Sequence, residues 1–93
     1  MPRIEALEID DHILDKIESK HGVEFFEVEE ACYSDERHIR RGREGLYQLF
    51  GQTDDGRYLF VVLADRGSGV WKVATARAMT ERERRLYWQV RGK

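Results

Sequence analysis

The segment Gly69 to Tyr87, G-V-W-K-V-A-T-A-R-A-M-T-E-R-E-R-R-L-Y, carries a period-2 strand directly into a helix. From Val70 to Arg77 the residues alternate among β-branched, aromatic and small types, the pattern of a strand. Thr80 and Glu83 then stand at the spacing of a capping box. There the Thr80 hydroxyl accepts from the Glu83 backbone N–H, and the Glu83 carboxylate accepts from the N–H of Thr80. The spacing predicts a helix from Glu81 to about Val90, with Leu86, Tyr87 and Val90 facing inward. Five arginines follow the strand or sit on the helix, Arg77, Arg82, Arg84, Arg85 and Arg91, and Arg77 alone ends the strand.

Upstream of this junction the pattern predicts an antiparallel meander. Leu46 to Gln52 reads as a strand, Thr53 to Gly56 with its Asp55-Gly56 dipeptide as a tight hairpin turn, and Arg57 to Ala64 as a strand apolar on both faces. Two apolar faces place that strand in the middle of the sheet. Ser34 to Gly45 is charged and holds two glycines, so it reads as a mobile loop with room for a short edge strand. Before it come two helices. Asp10 or Asp11 can cap the first, whose apolar positions are Ile13, Leu14 and Ile17 and which Gly22 ends. The second carries Phe25, Val28, Ala31 and Cys32 at helical spacing behind a Val23/Val28 hydrophobic staple, and its outer face is acidic. Ile4, Leu7 and Ile9 give a short extended entry. The expected fold is α+β, a small antiparallel sheet with two N-terminal helices and a C-terminal helix in the order β-α-α-β-β-β-α.

Ninety-three residues imply one domain, residues 1–93, with one modest core. The single cysteine excludes an internal disulfide and fits a reducing compartment, so the expectation is a soluble cytoplasmic protein with no membrane segment. The net charge of −2 hides a polarity along the chain. Residues 1–36 carry three basic and twelve acidic side chains, net −9, and residues 37–93 carry thirteen basic and six acidic, net +7. The basic part suits phosphate; two solvated faces of opposite sign would equally keep the protein soluble.

The strings L-E-I-D, K-H-G-V from Lys20, G-R-Y-L-F-V-V-L from Gly56 and A-R-A-M-T-E-R-E-R-R-L-Y from Ala76, in that order, resemble the BrnT family of toxins. The resemblance runs from Leu7 to Tyr87. It implies a ribonuclease of a type II toxin-antitoxin module, with a fold similar to the RelE and ParE superfamily, an RNA substrate and a cognate antitoxin. The chain departs from the family pattern at Ile13 and Ile17, where a basic residue and an Asn are usual, and at Leu46, often Arg.

Metal-free RNA cleavage needs a proton acceptor for the 2′-hydroxyl, cations for the phosphorane and an acid for the leaving 5′-oxygen. Arg77 suits the second need, since a guanidinium is permanently charged and meets two phosphate oxygens at once. Lys20 and His21 at a helix C-terminus are candidates for phosphate contact and proton transfer, although the helix dipole explains them equally well. Arg57, Arg37, Arg40, Arg41, Arg43 and Arg82 would hold the RNA backbone, and Tyr47, Tyr58 or Trp71, if exposed, could stack a base. His38 reads as solvated in the charged loop. His12, His21, His38 and Cys32 show no metal-ligand spacing, so neither metal nor cofactor is expected. Two functions fit: a ribonuclease toxin, or a non-catalytic module of the same fold whose acidic helices dock a protein.

Overall fold

The computed structural model describes residues 3–91. Its elements are β1 (Ala6–Glu8), α1 (Asp11–His21), α2 (Phe25–Tyr33), β2 (His38–Arg41), β3 (Leu46–Gln52), β4 (Tyr58–Asp65), β5 (Val70–Ala78) and α3 (Glu81–Arg91). The strands form one sheet in the order β1-β5-β4-β3-β2, antiparallel except for β1, which runs parallel to β5. As its apolar faces require, β4 lies at the centre. Leu59, Val61 and Leu63 face α1 and α2, while Phe60 faces the side of α3.

The sheet has one strand more than the expected order. The stretch from Ser34 to Gly45 supplies β2, which pairs with β3 in the register His38↔Phe50, Ile39↔Leu49, Arg40↔Gln48. Ile39 is the only apolar residue of the strand and packs against the inner core beside Leu49. One apolar residue in a charged run is a weak period-2 signal, and the charges that obscure it are those that suit a sheet edge.

On the inner face, Ile17, Val23, Val28, Ala31 and Cys32 are fully buried against β3, β4 and β5. Ile17 fills the core, and Ile13 packs against it. Both are therefore packing residues. α2 lies so close to β3 that a Cβ on Gly51 would come within 2.4 Å of the Ala31 carbonyl oxygen. Burial pushes the Cys32 thiol up to about 12, so it is an inert filler here.

The helix ends show local sequence chemistry at work. Gly22 takes the left-handed conformation, φ 63°, at the end of α1. Glu27 accepts from the Glu24 N–H at 3.0 Å at the start of α2. At α3 the expected box is complete: the Thr80 N–H donates to Glu83 Oε1 at 2.9 Å, and the Glu83 N–H donates to Thr80 Oγ1 at 3.1 Å. Asp10 occupies the cap position of α1 but makes no side-chain cap, because its carboxylate is turned to Lys72 on β5, 2.8 Å away.

α3 crosses the outer face of the sheet and buries one residue, Tyr87. It packs with Phe50, Phe60 and Met79, and its hydroxyl donates to the Glu36 carbonyl at 3.1 Å. Leu86 and Val90, expected to face inward, are 46% and 47% exposed. The helix meets the sheet mainly through Tyr87, so Leu86 and Val90 beside it rim an open space instead of filling it.

Candidate functional site

That open space is a cleft of about 500 Å³ between the outer face of the sheet and α3. Its floor follows from register. His38 pairs with Phe50, Phe50 with Phe60 and Phe60 with Arg77, so these four residues form one row across β2, β3, β4 and β5. Directly paired residues project to the same face of a sheet. Arg40, two residues beyond His38, projects into the same space, and Arg82 and Glu83 enter it from α3.

A bulge aims Arg77 into this space. Strict alternation from Trp71 and Val73, both inward, would turn Thr75 and Arg77 to the inner core. The register between β4 and β5 shifts at Val62/Leu63, with Thr75 opposite Val62 and Val73 opposite Leu63. Ala74 is thereby left without a partner, and the alternation inverts. Ala76 turns inward and is fully buried, and Arg77 turns outward.

Arg77 is held on three sides. Nη1 and Nη2 donate to Glu83 Oε1 and Oε2 at 2.7 and 2.9 Å. Nη1 also donates to the Ala78 carbonyl at 3.2 Å. The guanidinium carbon sits 4.3 Å from the centre of the Phe60 ring. The hydrogen bonds to Glu83 raise the Arg77 pKa, and the same bonds, foremost among several causes, hold the Glu83 carboxyl below its ordinary range. The side chain remains 34% exposed.

Of the arginines expected to meet RNA, Arg40 and Arg82 line the cleft with Arg77. Arg57, Arg37, Arg41 and Arg43 do not. Arg57 is a latch on the inner face: Nη1 donates to the Gly22 carbonyl at 2.9 Å and to Glu27 Oε1 at 3.0 Å, joining the end of α1 to the start of α2. Arg37 donates to the Ser34 carbonyl within its own turn, and Arg41 donates to the Tyr47 hydroxyl at 3.0 Å. Arg43 lies in the β2–β3 turn. Lys20 and His21 end α1, which packs on the inner face of the sheet, and neither lines the cleft. Tyr47 and Trp71 pack edge-to-face on the inner side, with ring centres 5.0 Å apart, and Tyr58 packs against Tyr87 and Trp88 beside α3.

Several cleft residues escaped sequence reasoning, among them His38, Gln48 and Glu83. His38 is half-buried on β2, with its ring centre 6.3 Å from that of Phe50. Its alternation with Ile39 was the available signal. Glu83 reads fully as a cap, which conceals any second use.

A larger opening of about 790 Å³ lies below the end of α2, lined by Glu29, Glu30, Asp35, Glu36 and Asp54. Carboxylates on that scale repel phosphate, so chemistry rather than volume favours the arginine cleft for a polyanion. Among the described residues no group of three or more His, Cys, Asp or Glu side chains is arranged to hold a metal ion, and no helix is long and apolar enough to cross a membrane.

A family profile described as ribonuclease toxin, BrnT, of type II toxin-antitoxin system matches residues 10–83. The fold is similar to the crystal structure of the Brucella abortus ribonuclease toxin BrnT, with a TM-score of 0.69 and 15% identity over 82% of this chain and 97% of that one. Curated protein sequences gave no match.

Proposed function

Because this chain belongs to the BrnT family of ribonuclease toxins of type II toxin-antitoxin systems, we propose that it cleaves RNA without a metal ion in the cleft between its sheet and α3. The observation that carries this reading is the gathering of Arg77, Arg40 and Arg82 around one opening. Cleavage at phosphate builds negative charge in the transition state, and a preorganised guanidinium there lowers the barrier. Arg77, fixed by Glu83 and Phe60, supplies that charge. Arg40 and Arg82 hold backbone phosphate on either side. Lys20 and His21, at the end of α1, take no part at Arg77; any contact they make to RNA belongs to the opposite surface, with Arg57, Arg37, Arg41 and Arg43 serving the fold or more distant phosphates.

In this reading the whole of residues 1–93 is one toxin domain of RelE-like fold, acting in the cytoplasm on RNA needed for translation and neutralised by a cognate antitoxin. The acidic opening beside α2 favours the alternative, a non-catalytic module that docks a basic protein segment.

Purified protein with a defined RNA, in EDTA and at two salt concentrations, separates the two. Arg77→Ala should lower the cleavage rate by about 100-fold or more while weakening binding far less. Arg77→Lys should rescue poorly, since one ammonium cannot make the planar two-oxygen contact. Arg40→Ala should weaken binding and reduce its salt slope by about 1. Loss of cleavage in EDTA defeats the metal-free mechanism. A parent protein that neither cleaves RNA nor arrests growth leaves the docking module.

A further inference from the structure

Resting on the ribonuclease reading, we propose that Glu83 is the general base, taking the proton of the 2′-hydroxyl next to the phosphate that Arg77 holds. The titratable groups of the cleft are few. His38 stands three strands from Arg77, roughly 14 Å by strand spacing, too far to serve the same phosphate. The Tyr87 hydroxyl is engaged by the Glu36 carbonyl. Among the described residues, Glu83 is the one carboxylate in contact with Arg77.

The donor geometry permits both partners at once. Arg77 gives Glu83 its terminal edge, one Nη1 and one Nη2 hydrogen, and among the described residues its Nε donates no hydrogen bond. The lateral edge of the guanidinium, Nε with the second Nη2 hydrogen, is therefore not committed to an acceptor among the described residues, and on a side chain 34% exposed it can take a phosphate. Carboxylate and phosphate then sit on adjacent edges of one planar group. The two carboxylate oxygens also differ. Oε1 accepts from Arg77 Nη1 and from the Thr80 N–H, whereas Oε2 accepts from Arg77 Nη2 alone. Oε2 is the oxygen with a lone pair to spare, and it lies on the side where the phosphate would dock.

The step balances with water as the only further reactant. The 2′-hydroxyl proton passes to Glu83 Oε2, a bond forms between the 2′-oxygen and phosphorus, and the bond from phosphorus to the 5′-oxygen breaks. The leaving 5′-oxygen takes a proton from water, Glu83 returns its proton to solvent, and a 2′,3′-cyclic phosphate remains. Arg77 keeps the resting carboxylate ionised. When phosphate draws on Nη2, Oε2 loses part of its donor and its proton affinity rises where the proton is to be taken.

The test is cleavage of a defined RNA oligonucleotide by the full chain and by Glu83→Gln. Gln keeps the cap, since it also accepts from the N–H of Thr80. Cleavage should fall by about 100-fold or more, affinity for the 2′-deoxy oligonucleotide should hold or rise, and the parent's product should end in a 2′,3′-cyclic phosphate. A second measurement needs no variant: kcat/KM of the parent against pH should lose rate only below the ordinary carboxylate range. An acid limb near neutrality would assign the proton to a histidine and overturn the proposal. So would parental or faster cleavage by Glu83→Gln, the latter making Glu83 an internal competitor of phosphate. If the parent itself does not cleave RNA, the ribonuclease reading falls and this inference with it; if only the variant result fails, the ribonuclease reading stands.

Discussion

Arg77 and Phe60 are direct partners across β5 and β4, and the guanidinium carbon of Arg77 lies 4.3 Å from the centre of the Phe60 ring. The ring supports the flat face of the cation while Glu83 holds its edge. Phe60→Leu should therefore loosen Arg77 as well as the Phe50, Met79 and Tyr87 cluster. The expected loss of stability is about 1–2 kcal/mol. Denaturant unfolding measures it, and a double-mutant cycle with Arg77→Ala should show coupling between the two; strictly additive effects would mean that the stacking contributes nothing.

Thr80→Ala removes the hydroxyl that accepts from the Glu83 N–H at 3.1 Å. The expected cost is about 1 kcal/mol. Because α3 buries only Tyr87, little else offsets the lost cap. Thermal melting and amide exchange at the start of α3 should both register it, and an unchanged melt would show that packing of Tyr87 alone sets the helix.

Gly51→Ala tests the closeness of α2 to β3. The added methyl would meet the Ala31 carbonyl oxygen at 2.4 Å, a backbone atom that cannot rotate away. Overpacking of this kind costs about 1–3 kcal/mol. The reading fails if the alanine variant unfolds at the same denaturant concentration as the parent.

Acid should destabilise the protein through two carboxylates. Lys72 foremost lowers the Asp10 pKa, and Arg77 foremost lowers that of Glu83. Each group thus binds its proton more weakly folded than unfolded, so its contribution is present above the ordinary values of 3.8 and 4.5 and is lost as pH falls below them. Melting temperature followed downward from pH 6 should bend in that window. Glu83→Gln should flatten the bend, and Asp10, exposed beside Lys72, should contribute the smaller share.

The sequence by itself determined the three helices and the strands β3, β4 and β5, with the turns and most of the caps that end them, while β2 was legible only as a charged loop with room for an edge strand. Thr80 with Glu83, Gly22 and the Asp55-Gly56 turn act over a few residues, and the two apolar faces of Tyr58 to Ala64 demand a central strand whatever surrounds it. Only the tertiary structure decided the site. Where β5 slips at Ala74 depends on its hydrogen bonds across the hairpin to β4, which no periodicity within β5 reveals, and that slip turns Arg77 from the core to the cleft. Arg57 resembles Arg40 in sequence, yet the carbonyls of His21 and Gly22 claim it on the other side of the sheet. His38 reaches the cleft because β3 pairs with β2, and Leu86 and Val90 rim it because α3 meets a sheet rather than a second helix. Period and capping are local energies legible in order, whereas the face a charged side chain takes and the partner it finds depend on pairings between distant strands.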